Sequence, residues 1–123
     1  MKAGFLEFRH HVKTTDYPSG AALTQVLAVT TATVLLTHPL VLLDSSAGAV
    51  TTLTLPNGEE GQVLVLQSID AADMTLTPTT ATGWATCVLI DIGDSVSLLY
   101  VDDTVGWIIL GTAGVSAPPV ISV

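Results

Sequence analysis

Apolar and polar residues alternate with a period of two along most of this chain. TQVLAVTT, ATVLLT, LVLLD, VTTLTLP, QVLVLQS, DMTLTP, ATCVLIDI, SVSLLYV and VGWIILG carry the pattern in turn, and Val and Thr dominate them. Period-two runs rich in β-branched residues predict strands, because such side chains suit a pleated, half-buried surface. No segment shows a capped stripe of helical spacing; at most one helical turn fits in SGAALTQVL. The breaks carry turn residues: PNGEEG, SIDAAD, DIGD and DDTVG are short, and TPTTATG is longer. Turns recurring every 8 to 12 residues or so predict an all-β antiparallel sandwich or barrel-like domain.

Two of the most apolar runs, Val96–Val101 and Val105–Leu110, flank Asp102-Asp103-Thr104 and predict a hairpin that is part core and part subunit contact. TLTLPNGEEGQVLVLQS and LTPTTATGWATCVLIDI share a strand, a Pro-led polar loop and a second strand. They are read as two hairpins of like design and not as a solenoid repeat. The tail SAPPVISV suits an edge strand or a contact with a neighbour.

The pattern weakens before residue 21, which divides the chain into an N-terminal arm and joint, 1–20, and one β domain, 21–123. Composition changes the picture in one respect. Hydrophobic residues make up 49% and charged residues 11%, with a mean hydropathy of +0.64; globular chains average roughly 25% charged. So little charge cannot cover a free surface, so Thr and Ser, or neighbouring subunits, must cover it. A membrane span needs about 20 apolar residues in a row, and Thr, His, Pro or Asp interrupts every apolar stretch. MKAGFLEFRHHVK is too charged for a signal-peptide core. No membrane partner and no ordinary export signal are expected.

Charge is also unevenly placed. Lys2, Arg9 and Lys13 are the only basic residues, while ten of the eleven acids follow residue 13. The body, 14–123, therefore carries −10 (the total of −8 less the +2 of residues 1–13). That charge repels phosphate, so nucleic acid is not an expected partner.

No residue set demands a catalytic reading. Cys87 is the single cysteine, lies in the apolar run WATCVLIDI, and is expected to be a buried, inert thiol. His10 and His11 are adjacent, so in a strand they point to opposite faces and cannot chelate one ion together. Glu59-Glu60 and Asp102-Asp103 lie in turns, where solvated carboxylates are usual; glycoside hydrolysis needs two facing carboxylates on a cleft. There is no G-x-S-x-G motif, and GTAGVS follows a terminal strand without opening a helix, so it is no phosphate loop. Trp84 and Trp107 each follow Gly and are expected to pack where a strand enters the core, a sugar platform being the alternative. The expectation is a protein that is not an enzyme and holds no cofactor or metal.

TLTLPNGEEGQVLVLQSIDAADMTLTP and GDSVSLLYVDDTVGWIILGTAG together resemble a module of virion structural proteins in tailed bacteriophages. The resemblance covers roughly residues 50–114. It implies a β-rich homotrimer of the capsid decoration (cement) type, or a segment of a tail fibre or spike. As a decoration protein, the chain would bind the major capsid protein on the outer head surface, after assembly in the host cytoplasm. The module defines no catalytic residues. One small body behind a short arm that starts at Met1 suits a complete cement protein better than a long fibre.

The arm supplies the candidate interface. In a strand, Phe5, Glu7, Arg9 and His11 share one face, while Leu6, Phe8 and His10 share the other. Such a segment can add to a neighbour's sheet edge while its charges meet acidic groups. Lys2, Phe5, Leu6, Phe8, Arg9, His10 and Lys13 are therefore the expected capsid or subunit contacts.

Overall fold

The structure, a computed structural model, describes residues 24–28, 31–34, 36–44, 51–71, 73–115 and 117–123. The nine alternating runs and the tail SAPPVISV become ten strands: β1 (Thr24–Ala28), β2 (Thr31–Thr33), β3 (Leu40–Asp44), β4 (Thr51–Leu55), β5 (Val63–Ser68), β6 (Met74–Pro78), β7 (Thr86–Leu89), β8 (Ser95–Tyr100), β9 (Trp107–Ala113) and β10 (Val120–Ser122). No helix occurs among the described residues. The all-β class is as the pattern predicts, in two layers without a closed barrel. Sheet A has the order β1-β3-β5-β8-β9, and sheet B the order β10-β7-β6-β4-β2.

Pairing within the sheets is mixed where the sequence pattern predicts antiparallel neighbours. β1, β3 and β5 run parallel, with Thr24 aligned on Leu40 and Leu40 on Val65. β2, β4 and β6 do the same in the other layer. From β1 to β6 the chain alternates between the sheets, so each strand meets its in-sheet neighbour only after a full circuit. A parallel pair needs such a crossover, and here the opposite sheet serves in place of a helix. PNGEEG therefore crosses the roughly 10 Å between layers and does not close a hairpin. TPTTATG does close one, pairing β6 with β7 in antiparallel register. The two similar stretches thus fold differently. The chain then crosses to sheet A for the β8–β9 hairpin and returns for β10.

The expected final hairpin is present, and its inner half is core. β5 and β8 show strict alternation, with Leu64, Leu66, Val96, Leu98 and Tyr100 buried. Sheet B opposes them with Leu53, Leu55, Met74, Leu76, Cys87 and Leu89, all fully buried. Each such side chain contributes about 1.5–3 kcal/mol on leaving water. β9 breaks step with β8 between Ser97 and Leu98, where Leu110 is the extra residue and is 55% exposed. Such a bulge twists the outer strand and blunts it as a template for pairing. The predicted arm lies outside the described residues.

Candidate functional site

The same alternation that fills the core leaves two outer faces of different chemistry. On β2, β4 and β6 of sheet B the outward positions are threonines: Thr33, Thr54 and Thr77 align across the three strands, and Thr52 aligns with Thr75, while toward the other edge Val88 of β7 pairs with Val120 of β10. On sheet A they are Leu40, Leu42, Val65, Leu99 and Ile108, all half-buried, and Val63, 47% exposed. Val63 pairs with Leu99 and Leu99 with Ile108, forming one apolar row across three strands. Gln67, Ser95 and Ser97 complete this face, and Asp44 is its only charge among the described side chains, at the end of β3. A threonine face satisfies water, whereas a leucine and valine face asks for a cover.

The nine acids of the described residues lie in the connections or at the end of β3. Glu59, Glu60, Asp102 and Asp103 gather where β4, β6 and β8 end, here called the upper end. Asp44, Asp70, Asp73, Asp91 and Asp94 gather at the lower end. The broad faces are thus almost free of charge.

Trp107 organises the upper end. It is fully buried, meets Tyr100 edge to face at 5.2 Å between ring centroids, and donates its indole N–H to the Pro56 carbonyl at 2.9 Å. Gly58 rests on the ring, and a Cβ there would lie 2.9 Å from a ring carbon. Gln62 ties the turn to the β2–β3 connection, accepting from the Glu59 N–H at 3.0 Å and donating to the Leu36 carbonyl at 3.2 Å. These residues frame an open cleft of about 440 Å³, lined by Leu36 and residues 57–62.

Of the paired acids, Asp102 and Asp103 act structurally, while Glu59 and Glu60 are exposed. Asp102 caps its own turn by accepting from the Thr104 and Val105 N–H groups at 2.9 and 2.7 Å. Asp103 accepts the Tyr100 hydroxyl at 2.6 Å. That hydrogen bond, followed by burial and the charges of Asp103, Asp102 and Glu60, pushes the Tyr100 phenol up to about 12. Asp94, which carries no motif in the sequence pattern, is fully buried and accepts from the Ile90 and Asp91 N–H groups at 2.9 and 3.1 Å. An Asp closing a short turn, as in DIGD, is the signal that marks such a cap.

Both tryptophans are core residues and not a sugar platform: Trp84 is 6% exposed and donates to the Trp107 carbonyl at 3.0 Å. Among the described residues no group of three or more His, Cys, Asp or Glu side chains is placed to hold a metal ion. The expected interface residues Lys2, Phe5, Leu6, Phe8, Arg9, His10 and Lys13 lie outside the described residues, as does His11.

Cys87 is buried, as its apolar run implies. Burial, and then the charge of Asp94, pushes its thiol up to about 11. Only the thiolate attacks disulfide reagents. The folded protein should therefore resist labelling at pH 8 and react fully once unfolded; rapid labelling of the folded state would contradict the burial.

No family model matches the sequence, and no curated protein matches it. Among solved structures the chain is similar to one described as "Structure of a chaperone-substrate complex", with a TM-score of 0.55 and 20% sequence identity. The match covers 79% of this chain but only 19% of the other. At that identity the likeness is one of fold: a two-layer β arrangement of this kind forms a small part of a much longer chain.

Proposed function

We propose that this chain is a non-enzymatic virion structural protein, a capsid decoration protein of a tailed phage. It sits as a homotrimer on the outer surface of the head, bound to the major capsid protein, with residues 1–13 at the interface. The observation that supports this best is the apolar outer face of sheet A, which a lone subunit would leave to water. The resemblance of residues 50–114 to phage virion modules supports the same reading. Its action is geometric: bridging neighbouring capsomers buries further area, at about 25 cal/mol per Å² of apolar surface. That burial opposes the outward pressure of a packaged genome. The acidic body turns phosphate away.

Light scattering should give about 38 kDa, three times the 12.7 kDa chain, and the protein should co-sediment with emptied heads. A monomer at micromolar concentration, or trimers that stay in the supernatant while heads pellet, would overturn the reading.

A tail-fibre or spike segment is the second reading. β1 and β9 in sheet A, and β10 and β2 in sheet B, are outermost, and the β1–β2 end, away from the bulge in β9, is where further strands would continue the stack. Glycan or receptor binding by the isolated protein, without head binding, would favour this alternative.

A further inference from the structure

Asn57 is the only asparagine in the chain, and a glycine follows it. An asparagine loses its side-chain amide when the backbone nitrogen of the next residue attacks it. The next side chain normally shields that nitrogen and stiffens the backbone, and glycine does neither. In this fold Asn57 is exposed and lines the open cleft of the upper end. Among the described residues no hydrogen bond holds its side chain or the Gly58 N–H. Neither group has to leave a partner before the two meet.

Packing keeps the glycine in place. A Cβ at position 58 would lie 2.5 Å from Gln62 Oε1 and 2.9 Å from a Trp107 ring carbon. The Gln62 side chain could swing aside only by giving up its two hydrogen bonds. The Trp107 ring is fully buried and tied to the Pro56 carbonyl, so it cannot yield. The ring that demands a glycine against it therefore also leaves the attacking nitrogen unshielded.

We propose that Asn57 is a site of spontaneous self-modification. The Gly58 nitrogen bonds to the Asn57 side-chain carbonyl carbon, and the side-chain nitrogen leaves as ammonia, carrying off the proton of the Gly58 N–H. The product is a cyclic imide. Water then opens either imide carbonyl, giving aspartate or isoaspartate. Both products add a negative charge beside Glu59 and Glu60. Isoaspartate also lengthens the main chain by one methylene between Pro56 and Glu59, whose bonds to Trp107 and Gln62 fix the span of this crossing. The upper end loosens as the protein ages. The inference concerns a single chain and stands apart from the assembly proposed above.

The test holds the full chain at pH 8 for days, folded and, in parallel, unfolded in guanidinium chloride. Peptide mapping should find isoaspartate and aspartate at residue 57 of the folded protein, formed at a rate within an order of magnitude of the unfolded one. Isoelectric focusing should show a more acidic band that Asn57→Gln abolishes. The isoaspartate fraction should unfold at a lower urea concentration than fresh protein, whereas Asn57→Asp, which adds charge alone, should not. A folded chain that stays unmodified while the unfolded chain converts would overturn the inference. An acidic band that persists in Asn57→Gln would place the change elsewhere, and aspartate without isoaspartate would mean direct hydrolysis; either sinks the imide route. Isoaspartate protein as stable as fresh protein would overturn the loosening of the crossing.

Discussion

Trp107→Ala should lower the free energy of unfolding by about 3–5 kcal/mol, the usual range for truncating a fully buried tryptophan. The ring is 0% exposed, stacks edge-on with Tyr100, supports Gly58 and holds the Pro56 carbonyl. Its loss would leave a cavity under the PNGEEG crossing and an unpaired carbonyl in a part-buried site. Trp107→Phe refills part of the volume but lacks the indole N–H, so it should cost less, about 1–3 kcal/mol. Urea unfolding at one fixed protomer concentration is the measurement, since subunit association adds its own concentration-dependent stability. A change below about 1 kcal/mol for Trp107→Ala would show that the upper end does not depend on this ring.

Gly106→Ala should be nearly as damaging although it adds one methyl group. Gly106 has φ of 71°, in the left-handed region, where a side chain costs about 1–2 kcal/mol. A Cβ there would also overlap the carbonyl oxygen of Thr80. That carbonyl accepts the Trp107 N–H at 2.9 Å, so it cannot withdraw without releasing β9 from the 79–85 connection. Gly83 supplies the control. Its φ is 90° and a methyl group there would meet nothing within 4 Å, so Gly83→Ala should show the left-handed cost alone. The excess of Gly106→Ala over Gly83→Ala then measures the overlap, expected at about 2 kcal/mol or more, in the range of overpacking costs. Equal losses at the two sites would mean that the β6–β7 connection yields freely.

The candidate surface was half legible before the fold was known. In TTLTL the residues between the leucines are threonines, so a single strand already shows one apolar and one hydroxyl face. In VLVLQS both parities are apolar at first, which marks a strand with something to cover on either side. What one strand cannot show is which others share its face. The apolar row exists because β5, β8 and β9 are neighbours, and the threonine row because β2, β4 and β6 are neighbours in the other layer. Had β4 and β5 paired as the PNGEEG hairpin implied, threonines and valines would have alternated on one sheet and no apolar face would have formed.

Period-two alternation and turn residues are local properties, and by themselves they determined nine of the ten strands, the buried Cys87 and Trp107, and the all-β class. They also determined that all the cations stand ahead of the body and that the acids fall in turns. Sheet order, parallel pairing and the contrast between the outer faces were decided only by tertiary structure. A strand with one apolar face is satisfied by any opposing layer that completes the core, and its hydrogen-bonding edges accept a parallel or an antiparallel neighbour at similar local cost. The choice rests on whether a connection returns within its own sheet or crosses to the other. For residues 56–62 it rests on distant partners: Trp107 beneath Gly58, the Leu36 carbonyl on Gln62, and the Tyr100 carbonyl accepting the Gly61 N–H at 2.9 Å.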